Sequence, residues 1–208
     1  MTRNKEQTKQ QLIDAVGSLM VSEGYTAVGV NAIAREANLD KVLIYRYFNG
    51  LDGLLAAFAE QQDYFTQLDT YLSESQPITS QEEALAVSKA ILIGQLDHVI
   101  HNPALQEILL WELYEQNPVT EAIAEKREQQ GVQFMQQIEQ YIDFSQVDFP
   151  AIGNLLWGGI YYLILRSRSV QMFNGINLQT DAGWQRTKNA LHQLFDIIAD
   201  SLDTHNEN

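Results

Sequence analysis

The sequence contains no cysteine. That removes disulfide frameworks, thiolate zinc sites, thiol nucleophiles and iron–sulfur centres together, and it suits a reducing cytoplasm. Proline is scarce, at 4 in 208 residues. Pro77, Pro103, Pro118 and Pro150 each fall at a gap in the apolar pattern or in a first helical turn, where a missing N–H is tolerated. Long hydrophobic runs are missing too. The most apolar stretch, Leu155 to Leu165, is broken by Gly158 and Gly159 and falls well short of the roughly 20 residues of a membrane span. No apolar segment follows Met1 to Lys5, so no secretory signal is read and a cytoplasmic location is expected. Hairpin signals, alternating strand runs, internal repeats and low-complexity tracts are not found.

Basic charge is the other shortage, with 13 Lys and Arg against 27 Asp and Glu and a formal net charge of −14. It is unevenly spread. Arg3, Lys5, Lys9, Arg35, Lys41 and Arg46 outnumber the acidic groups of the first fifty residues by one, and the remainder carries the whole acidic excess. Phosphate would repel that remainder, so any nucleic-acid contact has to come from the first fifty residues.

What is present is helical spacing. Hydrophobic residues make up 45%, which is ordinary for a folded domain. Leu12, Ile13, Val16, Leu19 and Met20 form one stripe, closed by Gly24 as a C′ residue. Val30, Ile33, Ala34 and Ala37 give a second, short helix, and a third runs from about Asp40 to Phe48. Longer helices are expected at about 52–73, 80–101, 103–115, 119–142, 149–173 and 181–203. The expected fold class is all-α, with nine helices on short links.

Enzymatic motifs do not appear. There is no G-x-S-x-G, Walker loop or dinucleotide fingerprint, and no histidine has Glu three residues before it as a di-iron bundle needs. His98 and His101 share a helix face beside Asp97 but lack a clear third ligand, and Glu82 and Glu83 sit at a helix start where the dipole favours them. No enzyme, cofactor or metal site is expected.

The informative segment runs from Glu23 to Leu55. A helix-turn-helix needs a short helix, a tight turn with a left-handed residue, and a second helix whose start can face the major groove. Gly29 can cap the first helix, Asn38 tolerates positive φ better than other non-glycine residues, and Asp40 can cap the second. Ile44 and Phe48 then face inward, leaving Lys41, Val42, Leu43, Tyr45, Arg46 and Tyr47 on other faces. Spacing alone also allows Tyr45, Tyr47 and Phe48 to be core aromatics of a small bundle.

Gly24-Tyr25, Val30, Ile33-Ala34-x-x-Ala37-Asn38-Leu39, Leu43 to Phe48 and Leu54-Leu55 together resemble the DNA-binding domain of the TetR/AcrR family. The likeness covers about residues 6–66, with the helix-turn-helix at about 29–48, and implies that 67–208 form an effector-binding and dimerisation domain. It further implies a ligand-responsive transcriptional regulator, a repressor released from a palindromic double-stranded operator by a small molecule. Lys41, Tyr45 and Tyr47 would then touch phosphates, Leu43 and Arg46 base edges, with Arg35 and Val42 beside them.

The segment also departs from the family pattern. Asn38 stands where the family usually has Gly, Asp40 for Ser, Val42 for Gly, Leu43 for Thr and Leu51 for Lys. The first two keep turn and cap chemistry; Leu43 and Leu51 remove phosphate donors, and Asp40 adds an opposing charge. The expectation is a weak or salt-sensitive grip unless Lys5, Lys9, Arg35 and Arg46 compensate. The alternative is a TetR-like adaptor that has lost DNA binding and works through its acidic surface.

Behind this segment, the resemblance implies an effector pocket among Trp111, Tyr114, Phe134, Trp157, Tyr161 and Tyr162, suited to an apolar or aromatic molecule, although each could equally be core. Two glycines inside a helix cost about 1 kcal/mol each relative to alanine, so Gly158-Gly159 suggests a close approach by a neighbouring helix or ligand, or a kink. The last two helices carry Leu155, Leu156, Ile160, Leu163 and Ile164, then Leu191, Leu194, Phe195, Ile198 and Leu202. The family pairs such helices with their twins, so a homodimer is expected, and no membrane partner.

Overall fold

The computed structural model describes residues 2–62, 77–145 and 147–206. Among them are nine α-helices: α1 (Thr2–Glu23), α2 (Val30–Glu36), α3 (Val42–Phe48), α4 (Leu51–Gln62), α5 (Gln81–Ile100), α6 (Pro103–Tyr114), α7 (Pro118–Ile138), α8 (Phe149–Ser167) and α9 (Asp181–Asn206). The all-α expectation holds. A 3-10 turn at Tyr25–Ala27 follows α1, and α4 is described only to Gln62, so the rest of the helix expected over 52–73 lies outside the described residues. Among the described residues no helix is long and apolar enough to cross a membrane.

Two compact units divide the chain, one of residues 1–67 with 102–129, the other of 68–101 with 130–208. In the first, α1 buries Leu12, Ile13, Ala15, Val16, Leu19 and Met20 and packs on α2, α4 and α6. Ile33 from α2, Ile44 from α3 and Leu54 and Phe58 from α4 complete the interior, each contributing about 1.5–3 kcal/mol by leaving water. The α3–α4 corner is backbone on backbone. A Cβ on Gly53 would lie 1.8 Å from the Phe48 carbonyl oxygen, so only glycine fits there. Asn102 caps α6, accepting from Leu105 N–H at 3.1 Å and donating to Gln62 Oε1 at 3.0 Å, with Pro103 at the helix start.

In the second unit α5 carries a buried stripe of Ala84, Leu85, Ile91, Leu92, Leu96 and Val99 and packs on α8 and α9. Ser80 caps it, accepting from Glu83 N–H at 3.2 Å. Glu83 reaches back to the Thr79 hydroxyl and N–H, both at 2.7 Å. Those donors, the hydroxyl first, hold the Glu83 carboxyl below its ordinary value. Phe149 opens α8 between Phe144, stacked at 6.0 Å, and Phe195 of α9, edge-on at 6.3 Å.

One expectation is overturned after α8. The helix expected to Phe173 stops at Ser167, and two short strands, β1 (Met172–Phe173) and β2 (Ile176–Asn177), pair antiparallel as a hairpin. Asn174 (φ 46°) and Gly175 (φ 77°) both take left-handed conformations at its tip, as an Asn-Gly two-residue turn does. The dipeptide was a hairpin signal within a pattern otherwise read as helix. Likewise α7 ends at Ile138, short of the expected 142.

Candidate nucleic-acid interface

The turn between α2 and α3 is closed by the backbone. Asn38 has φ 52°. Its N–H donates to the Arg35 carbonyl at 3.2 Å, and Leu39 N–H reaches back to the Ala34 carbonyl at 3.0 Å. This pair of bonds is a Schellman closure with asparagine in the left-handed position usually taken by glycine. Asp40 then accepts from Val42 N–H at 2.9 Å, so its carboxylate serves the start of α3. Gly29 precedes α2 in extended conformation with no side-chain cap. At the far end of α3, Asn49 (φ 62°) and Gly50 (φ 121°) turn the chain into α4; this second turn had the sequence signal Asn-Gly.

This geometry separates the faces of α3. Ile44 is completely buried. Lys41, Val42, Tyr45 and Arg46 are exposed on one side, while Leu43, Tyr47 and Phe48 are half-buried. The exposed set is therefore narrower than the sequence suggests, because Leu43 and Tyr47 are partly committed to packing. Arg35 is exposed near the end of α2. Lys41 Nζ lies 3.5 Å from Asn31 Oδ1. Lys5, early in α1, places its ammonium 5.9 Å from the centre of the Tyr47 ring, bringing one more cation to this surface. Lys9 instead pairs with Glu6 at 3.6 Å.

Glu107 of α6 is 5% exposed, and its Oε2 accepts from Tyr25 N–H at 3.3 Å, tying α6 to the turn after α1. Sequence reasoning missed it. Its signal was a carboxylate inside the apolar run from Leu105 to Trp111.

The six aromatics divide between the units. Trp111 and Tyr114 belong to the first. Trp111 is buried, its Nε1 donating to Glu115 Oε2 at 2.5 Å, whereas Tyr114 is 77% exposed. Phe134, Trp157, Tyr161 and Tyr162 belong to the second. The Trp157 and Tyr161 rings are 5.9 Å apart and both half-buried. Tyr162 is exposed and meets Phe173 of the hairpin edge-on at 5.8 Å. Gln95, on the buried stripe of α5, donates from Nε2 to the Tyr161 hydroxyl at 2.9 Å. It too escaped the sequence reading, although a polar residue between Ile91, Leu92, Leu96 and Val99 marks it.

None of the described residues makes the close approach expected at Gly158-Gly159. Both are exposed, and a Cβ on either would meet nothing within 4 Å. They share an exposed face of α8 with Leu155 (76%) and Tyr162 (54%), and α9 exposes Leu194 (42%) and Ile197 (60%). His101 Nδ1 lies 2.8 Å from the Asp97 carbonyl at the end of α5, and Asp97 pairs with Lys188. Among the described residues no group of three or more His, Cys, Asp or Glu could hold a metal ion.

With this geometry in hand, comparison with known proteins is direct. Residues 8–58 match the family described as bacterial regulatory proteins, tetR family. The chain is 30% identical over 99 residues to the Transposon Tn10 TetC protein of Escherichia coli, covering 48% of each. The chain thus spans about half the length of the curated relative it matches. Solved structures share the fold. FadR of Bacillus subtilis in complex with stearoyl-CoA superposes with a TM-score of 0.64 at 16% identity, over 89% of this chain and 96% of that one. The fatty acid degradation regulator FadR of Bacillus halodurans gives 0.62 at 18% identity, over 90% and 94%. A TetR family transcription regulator from Marinobacter aquaeolei gives 0.60 at 18% identity, over 94% and 97%.

Proposed function

We propose, from the match of residues 8–58 to the bacterial regulatory proteins of the tetR family, that this chain is a homodimeric repressor which leaves a palindromic DNA operator when a small molecule binds. Residues 6–66 form its DNA-binding domain, and 67–208 its effector and dimerisation domain. The observation that carries the reading is the α2–α3 turn, whose Asn38 closure and Asp40 cap hold Lys41, Val42, Tyr45 and Arg46 on one exposed face. Lys41, Tyr45 and Tyr47 grip phosphates, Arg46 reads a guanine edge, and Leu43 and Val42 offer apolar contact to thymine methyls. Arg35 adds charge beside them.

The exposed apolar faces of α8 and α9 support the dimer. Leu155, Gly158, Gly159 and Tyr162 lie on one side of α8, and a second copy can approach closely where the glycines leave no side chain. Such a dimer sets two copies of α3 about one DNA turn, roughly 34 Å, apart. The effector selects between an operator-competent and an incompetent population of this dimer.

A mobility-shift titration with the DNA upstream of the chain's own gene tests the reading. Binding is expected to be weak, with a shallow dependence on salt, because few cations meet phosphate, and Arg46→Ala should cost about 1–3 kcal/mol. Ile197→Glu should yield monomers in sedimentation and lose the shift. No binding at low salt would reject the regulator in favour of an adaptor that works through its acidic surface.

A further inference from the structure

Gln95 is 2% exposed on the stripe of α5, and its Nε2 is used by the Tyr161 hydroxyl at 2.9 Å. Its Oε1 is shielded from solvent and meets no donor among the described residues. A buried amide oxygen in that condition gives up its hydration without a replacement and so costs stability. A leucine would continue the stripe without that cost, so the residue calls for a role that packing does not supply. Beside it stand Trp157 and Tyr161, rings 5.9 Å apart and half-buried, which offer apolar faces next to a single unmet acceptor.

The charges of the unit narrow the chemistry further. Lys89 is held by Asp196 at 3.7 Å and Lys188 by Asp97. Arg186 donates to the Gly175 carbonyl of the hairpin at 3.2 Å, and Arg166 and Arg168 are exposed at the far end of α8. Among the described residues no guanidinium or ammonium meets the Gln95 oxygen, and a carbonyl oxygen repels a carboxylate.

We propose that Gln95 Oε1, flanked by Trp157 and Tyr161, receives a hydrogen-bond donor, a hydroxyl or N–H, from a neutral planar apolar effector. This rests on the reading of the second unit as the effector domain. It sets the site apart from one built for a free acid or an acyl-CoA.

The test is calorimetric titration of the full chain with 2-naphthol, 2-methoxynaphthalene, 2-naphthoate and stearoyl-CoA. 2-Naphthol should bind on the order of tenfold more tightly than its methyl ether, the worth of one donor. Gln95→Leu should abolish that ratio while leaving the ether's affinity in place, with an unfolding midpoint no lower than the parent's. Tyr161→Phe, which frees the amide to turn, should shrink the ratio without abolishing binding of the ether. Equal binding of naphthol and ether, an unchanged ratio in Gln95→Leu, tighter binding of naphthoate or stearoyl-CoA, or binding of neither naphthalene would overturn the proposal. An operator shift on the same samples separates the two readings. Naphthol binding without operator binding would sink the regulator and leave the site standing; operator binding with indifference to the naphthalene pair would do the reverse.

Discussion

In the first unit a Cβ on Gly53 would sit 1.8 Å from the Phe48 carbonyl oxygen, and in the second a Cβ on Gly183 would sit 1.7 Å from that of Asn177. Both units are thus fastened by a glycine over which another backbone segment passes, but their surfaces differ. Around Gly53 the first unit closes two turns with left-handed asparagines, Asn38 and Asn49, and presents cations on α3. The second unit exposes Leu155, Tyr162, Leu194 and Ile197 on its last two helices and buries an amide oxygen with no donor among the described residues. On the function proposed above, the first unit presents the side chains of α3 to DNA. On that same function, a second copy would cover those apolar side chains and a small molecule would meet that oxygen.

The sharpest way to break this comparison is at the two fastening glycines. Gly53→Ala and Gly183→Ala should each lower unfolding free energy by about 3 kcal/mol or more in denaturant titration, since neither carbonyl can retreat without moving a helix or strand end. Equal tolerance of alanine at both would remove the parallel. At the cap of α3, Asp40→Ala should cost about 1 kcal/mol of stability yet tighten DNA binding at low salt by removing an opposing charge. Calorimetry beside a mobility shift reads both signs. Gly158→Ala should gain up to about 1 kcal/mol of helix stability while weakening self-association in sedimentation, which separates a helix packed against its twin from a plain exposed face.

The smallest effect concerns pH. The Glu83 carboxyl, held below its ordinary value by the Thr79 hydroxyl, adds stability that is complete above the unfolded value of 4.5 and is lost as pH falls through the lower folded value. Glu83→Ala should therefore destabilise the chain slightly at neutral pH and flatten the acid limb of its unfolding midpoint, with no difference from the parent once both are fully protonated.

Much of the helix-turn-helix was legible because its causes are local. Asn38 at the turn, Asp40 at the cap and Ile44 inward follow from spacing and from the φ each residue type tolerates. The partial burial of Leu43 and Tyr47 was not, because it depends on what α1 and α4 place beside α3. The β1–β2 hairpin was hidden for a different reason. Its strands are two residues long, too short to alternate visibly, and the Asn174-Gly175 signal sat inside a helical apolar pattern. Gly158-Gly159 stands out in the sequence, yet no described residue makes the contact that such a pair suggests.

Local pattern and composition suffice for the helical class, the turn chemistry of the first unit and the slight basic balance of the first fifty residues, since none of these requires knowing what packs against what. Packing settles that Glu107 holds the Tyr25 turn, that Gln95 is buried with one oxygen unmet among the described residues, and that Gly53 and Gly183 each lie under another stretch of backbone. The first two facts join residues distant along the chain, Tyr25 with Glu107 and Gln95 with Tyr161, whereas each glycine meets a carbonyl only a few residues before it. A side chain's solvation and partners are settled by what packing brings to it, which no local pattern encodes.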